Sequence, residues 1–187
     1  TATLDAQPSA AAGEAVAQLE GLGFGAVWIP ETVFREPFVH AALLLQSSSR
    51  IKVATGIVNR YGRDPLACNA AMQTLNEAFP GRCLLGLGVS HEHLVAWVRK
   101  HDYSKPYTGM VEYLDAMDKA RFFAPMGEPA PQMVLAALGP RMLALAAERT
   151  AGAHPYFVPP EHTEIARATM GPDALLAVEQ MVVLDDD

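Results

Sequence analysis

The residues best suited to chemistry fall in three short stretches. "GLGVSHEH" (86–93) brings His91 and His93 together at the end of an apolar run. A histidine titrates near neutral pH, so one placed at a strand end can take or give a proton under working conditions. The same H-x-H is half of a zinc site, which would suit a metal-dependent barrel hydrolase. Zinc needs further His or carboxylate ligands, and Glu31 and His154 bring no second spaced motif, so no metal is expected. The glycines of this stretch lie inside a strand pattern with no GxGxxG opening a helix behind them. They fit the close approach of a flat ring better than a dinucleotide loop.

"VATGIVNRYGRDP" (53–65) runs from β-branched residues through Gly56-Ile57 into Asn59, Arg60, Tyr61, Arg63 and Asp64. "ALGPRM" (137–142) follows an apolar strand pattern with Gly139 and Pro140 at a helix start and Arg141 beside them. Unpaired N–H groups and the positive end of a helix dipole hold phosphate at such a place. An ordinary strand-to-helix turn with proline in its first position is equally consistent with the spacing.

These stretches are positioned by a repeating alternation. The pattern predicts helices over 9–22, 37–46, 64–79, 107–123, 140–150 and 160–170, and strands over 25–30, 51–58, 82–89, 132–138, 153–157 and 180–184. Gly23 supplies the left-handed residue that closes the first helix, and the Pro and Gly cluster over 125–131 is a long loop. Strands alternating with helices at this spacing form βα units on a parallel sheet, either open and doubly wound or closed as a (β/α)₈ barrel. In both, ligands sit beyond the carboxyl ends of the strands, where Glu31 and Thr32, Asn59 to Arg63, Ser90 to His93 and Gly139 to Arg141 fall.

Composition narrows the partners. The chain has 187 residues, half of them apolar, and a net charge of −7 with no basic run. That suits one globular domain acting on a small molecule, with no nucleic-acid or membrane-surface partner. Cys68 and Cys83 read as core residues of a reducing compartment. No apolar run approaches the roughly 20 residues of a membrane span and no signal-peptide order opens the chain, so a cytoplasmic setting is expected.

Taken together, "LEGLGFGAVWIPE" (19–31), "RIKVATGIVNRYGRDP" (50–65), "EAFPGRCLLGLGVSH" (77–91), "VLAALGPRMLALAAERTAGAHPYFVPPEHT" (134–163) and "LLAVEQMVVL" (175–184) resemble the luciferase-like monooxygenase superfamily. The resemblance is to its actinobacterial coenzyme F420-dependent oxidoreductase branch. It implies a TIM-barrel-type fold over 1–187, hydride transfer between F420 and a small organic substrate, and a homo-oligomer, a dimer. FMN is the alternative cofactor. A bulge in the family's third strand holds a cis peptide not preceding proline, behind the cofactor ring. By order in the sequence that peptide is Gly56-Ile57, although the residues alone also allow a trans bulge. Asn59, Arg60, Arg63 and Ser90 are implied near the cofactor, and Ala137, Gly139, Pro140 and Arg141 in its phosphate loop.

The sequence departs from the family in two ways. Sugar-phosphate and alcohol dehydrogenases of the family have a histidine after the second strand, where this chain has Thr32, so His91 and then Glu31 are the candidates for proton handling. A barrel of this type takes about 250 residues; matched to the family, this chain starts after the first strand and stops after the seventh. An incomplete barrel, either a fragment of a longer chain, or completed by partner subunits, or surviving as a truncated non-catalytic homologue, is the corresponding expectation.

Overall fold

The structure, a computed structural model, describes residues 2–33 and 35–183. It divides into two units, Thr1–Gln132 and Met133–Asp187.

The first unit begins with α1 (Ala2–Ala6) and α2 (Ser9–Gly21). Gly23, at φ 90°, turns the chain out of α2 as the sequence predicts. Strand β1 (Ala26–Ile29) leads to α3 (Pro37–Gln46), β2 (Lys52–Thr55) and the two-residue β3 (Val58–Asn59). Then come α4 (Pro65–Ala78), β4 (Cys83–Gly88) and α5 (Pro106–Lys119), with a π-helical turn over His93–Val98 between the last two. Helices α3, α4 and α5 each carry proline in the first turn, where its missing N–H costs nothing. Strand β2 pairs in parallel with β1 and with β4, and β3 pairs with β4.

The predicted strand 51–58 is thus broken, and the register shows how. Ala54 faces Leu84 and Val58 faces Leu87, so four steps on one strand answer three on the other. That is a bulge of one extra residue. At its centre the Gly56-Ile57 peptide is cis, as the resemblance implies. Opposite, Thr55 Oγ1 accepts from the Gly86 N–H at 2.9 Å and donates to the Gly86 carbonyl at 2.8 Å, holding the two strands together beside the interrupted ladder. A Cβ on Gly86 would collide with the Thr55 carbonyl oxygen, so only glycine permits this approach.

The second unit takes up β5 (Gln132–Leu135) from its second residue, and α6 (Pro140–Arg149), β6 (Gly152–Ala153), α7 (Glu161–Met170) and β7 (Leu175–Leu176) follow. Strand β6 pairs in parallel with β5 and β7. The last strand is a correction to the sequence reading. It forms at Leu175–Leu176, extended by a bridge between Tyr156 and Glu179, and not over 180–184; Leu184 lies outside the described residues. Its place is set by Gly152, whose missing side chain lets the Leu175 backbone come close. Met181, Val182 and Val183 are exposed, so their apolar run does not mark a buried strand.

One surface carboxylate joins local structures. Glu20, in the last turn of α2, accepts N–H groups from Ser49, Arg50 and Ile51 at 3.1, 2.6 and 2.7 Å and the Ser49 hydroxyl at 2.8 Å, fixing the entry to β2. The Ile51 and Arg50 amides, with Ser49, hold its carboxyl down at about 2 against an ordinary 4.5. Because the folded value is depressed, this contribution is fully present above pH 4.5 and is lost as pH falls toward 2. Thermal melts of wild type and Glu20→Gln across that window should therefore converge at the acid end; a gap independent of pH would exclude this origin.

Candidate functional site

The exits of β1, β3 and β4 meet around one buried carboxylate. Glu31, two residues beyond β1, is 5% exposed in its side chain. Its Oε2 accepts the Asn59 backbone N–H at 2.7 Å and Arg63 Nη1 at 2.8 Å. Its Oε1 accepts Arg63 Nη2 at 3.3 Å and Arg99 Nη2 at 3.2 Å. Both oxygens are engaged, and the two guanidiniums reach it from different loops. Arg63 also pairs with Glu36 at 3.0 Å, and burial is the chief influence opposing its charge while Glu31 restores it and carries its pKa above the usual value. Gly62 leaves the room, since a Cβ there would stand 2.7 Å from Glu31 Oε1.

The segment between β3 and α4 is built to hold its shape. Asn59 Oδ1 accepts the Tyr61 N–H at 3.0 Å, and Asp64 caps α4 by accepting the Leu66 and Ala67 N–H groups. Tyr113 of α5 donates its hydroxyl to the Arg63 carbonyl at 3.1 Å. Burial raises the Tyr113 phenol well above its ordinary value and also raises the nearby Cys68 thiol, which disfavours the charged, nucleophilic form of each.

An aromatic wall stands beside this segment. The Arg60 guanidinium lies 3.9 Å from the centre of the Tyr61 ring, which itself packs against Tyr103 and His101 with ring centres 5.9 and 6.2 Å apart. Tyr103 donates its hydroxyl to the carbonyl of Ser90 at 3.0 Å. Burial, with Tyr61 and Glu92 nearby, raises the Tyr103 phenol although Arg60 opposes the shift. Ser90 has the left-handed backbone angle φ 58°, which turns the chain sharply where β4 ends. Within this region four buried polar atoms lack a protein partner: Thr32 Oγ1, Asn59 Nδ2, Arg60 Nε and Tyr61 Oη.

The structure therefore brings together Glu31, Asn59, Arg60 and Arg63 around the exits of β1 and β3, with Ser90 joined to the same aromatic wall. His91 and His93 are exposed beside it. Among the described residues no cluster of three His, Cys, Asp or Glu side chains is arranged for a metal, and no helix is long and apolar enough to cross a membrane. In the second unit Gly139 is the N-cap of α6, Pro140 opens it and Arg141 follows, with Ala137 buried ahead of them. His162 Nε2 lies 2.9 Å from the Leu138 carbonyl and ties α7 to that loop. Sequence reasoning missed Arg99, Tyr103 and the His93–Val98 turn. The one available signal was the basic pair Arg99-Lys100 directly after the apolar "LVAWV".

Comparison with known proteins assigns the class. The luciferase-like monooxygenase family model matches residues 1–172, and the chain belongs to that family. It is 33% identical over 110 residues, 59% of its length, to a Mycobacterium tuberculosis protein named as a coenzyme F420-dependent oxidoreductase, of which the match covers 32%. Solved structures share its α/β, TIM-barrel-type fold. An F420-dependent secondary alcohol dehydrogenase holding an F420–acetone adduct superposes with a TM-score of 0.76 at 14% identity, over 92% of this chain and 64% of that one. The oxygenating constituent of 3,6-diketocamphane monooxygenase from Pseudomonas putida, in complex with FMN, gives 0.64 at 15% identity over 84% and 56%. The chain spans less than two thirds of the length of each of these proteins.

Removing the carboxylate charge should unsettle all three exits at once. Replacing one partner of a buried pair leaves the other charge uncompensated and costs about 3–5 kcal/mol; with Arg99 partly open to solvent, Glu31→Gln should fall near the lower figure. Denaturant midpoints check this, and a loss under about 1 kcal/mol would show the tie to be dispensable.

Proposed function

We propose that this chain is part of an F420-dependent oxidoreductase that passes a hydride between coenzyme F420 and a small organic substrate. The observation that carries the proposal is the 33% identity to the mycobacterial protein bearing that name. The strand-exit geometry supports it. Four orphaned polar atoms sit where a family cofactor would meet the sheet, and glycine at position 86 lets strand backbones close up there.

Bound F420 would supply a two-electron hydride carrier. The backbone of Gly56 and Ile57 and the turn at Ser90 present a surface for its ring, and Asn59, Arg60 and Arg63 border that surface. Of these, Arg63 is already neutralised by Glu31 and Glu36 and serves to hold the loop. Taken by itself, the second unit carries at Ala137, Gly139, Pro140 and Arg141 a helix start whose amides and positive charge suit a phosphate. Between the two candidates for proton handling, the geometry favours His91. Glu31 has both oxygens committed to cations and an amide, which suits an organiser of the exits. A homodimer in the cytoplasm belongs to the same reading.

FMN in place of F420 is the second reading, favoured by the fold match to an FMN-bound monooxygenase component. Fluorescence titration with F420 and with FMN separates the two. Saturable binding of F420 at lower concentration than FMN is expected, and no saturable change with either counts against the enzyme reading. His91→Ala should keep cofactor binding and lose about 10²-fold or more in turnover, the ordinary worth of a general acid or base. Unchanged turnover would remove His91 from that role.

A further inference from the structure

We infer that Tyr103 is a positioning residue for His91: by donating its hydroxyl to the carbonyl of Ser90, it fixes the peptide that leads into His91. The inference rests on the oxidoreductase reading only for what His91 does once it is placed.

The backbone at His91 is held on both sides. Ser90, just before it, has φ 58°, a left-handed angle that a residue with a side chain keeps only where its surroundings impose it. Tyr103 Oη, 3.0 Å from the Ser90 carbonyl oxygen, supplies one such constraint. A peptide unit is planar, so a bond to its carbonyl also orients the His91 N–H and the direction in which the chain enters His91. On the other side the His91 carbonyl accepts the Val95 N–H at 3.0 Å, and Val95 is fully buried. His91 is thus an exposed residue on a fixed backbone, the arrangement that presents a side chain outward in one place.

Tyr103 is itself supported from another strand exit. Its ring centre lies 5.9 Å from that of Tyr61, in the segment between β3 and α4. Phenylalanine would fill the same space; what tyrosine adds is the donor to Ser90. Burial is the chief influence raising the Tyr103 phenol, which keeps the hydroxyl protonated and able to donate. Between Ser90 and Tyr103 the chain makes the π-helical turn His93–Val98, a geometry concentrated at functional sites, and Arg99 then ties it to Glu31 at 3.2 Å. The whole segment is a compact loop with its ends joined and its middle anchored, a form that often carries function.

NMR of histidine-labelled protein tests this. The His91 signals are assigned by their loss in His91→Asn, and His40 and His154, both buried, serve as references. Tyr103→Phe keeps the ring on Tyr61 and removes the donor. In that variant the His91 ring signals should move and their order parameters fall, while those of His40 and His154 stay in place. Amide exchange at Val95, whose N–H bonds to the His91 carbonyl, should quicken by about two- to tenfold, the worth of one hydrogen bond. The inference is overturned if the His91 signals or the Val95 exchange match wild type, or if His40 and His154 shift as far as His91, which would mark a general loosening of the fold. Fluorescence titration with F420 judges the underlying reading separately. A Tyr103-dependent His91 in a protein that fails to bind F420 keeps the placement and retires the F420 reading.

Discussion

The exit end of the first unit depends on the carboxylate of Glu31. Parallel strands leave their loops unpaired at the carboxyl ends, and nothing in the ladder holds one exit to the next. Glu31 does so from the end of β1 by accepting the Asn59 amide, both Arg63 Nη atoms and Arg99. Such a group is expensive to bury, and it is retained only where its attraction to opposite charge is supplemented by hydrogen bonds to every oxygen. Both oxygens meet that condition. The consequence is a set of loops whose backbone positions are decided by one side chain, and a region whose electrostatics are already balanced except at Arg60.

The bulge at Gly56-Ile57 decides which residue faces that region. Side chains alternate along a strand, so an inserted residue reverses the facing of all that follow. Val58 and Asn59 therefore present themselves to β4 in a register shifted by one from Val53 and Ala54. Without the extra residue the Asn59 amide N–H would not reach Glu31 in this register, and the Arg60–Tyr61 stack would leave on the other side. The Thr55 hydroxyl bridges the gap in the ladder by serving Gly86 as both donor and acceptor, so the bulge is held by a side chain where main-chain pairing lapses.

Much of this was legible in the sequence because it is local. Proline at the first turn marked the starts of α3, α4 and α6, Gly23 marked the end of α2, and the break after Thr55 was visible as glycine within a β-branched run. The last strand was not legible, because hydrophobicity over 180–184 outweighed a feature that matters only in three dimensions, the close approach that Gly152 allows at Leu175. The site was half legible. Residue types at strand exits pointed to Glu31, Asn59, Arg60 and Ser90, but the partnership of Glu31 with Arg99 spans 68 residues and no spacing rule encodes it. The orphaned donors were invisible for the same reason: a sequence lists polar groups and does not say which of them are satisfied.

Satisfaction is what separates structural polarity from functional polarity here. Asn76 is fully buried, yet its amide serves the Gly127 and Pro129 carbonyls and its oxygen the Gly81 N–H, so it fixes the long loop before β5 with nothing left over. Thr55 is equally complete. Asn59 is buried to the same degree and is left with a free donor, and the two residues after it repeat the deficit. An apolar residue of similar shape at each place would remove a cost of about 1–3 kcal/mol per orphaned group. Three successive residues at the end of β3 carry such costs, beside a guanidinium stacked on Tyr61 in the space that Gly109 leaves, the kind of local violation that folds tolerate at functional sites.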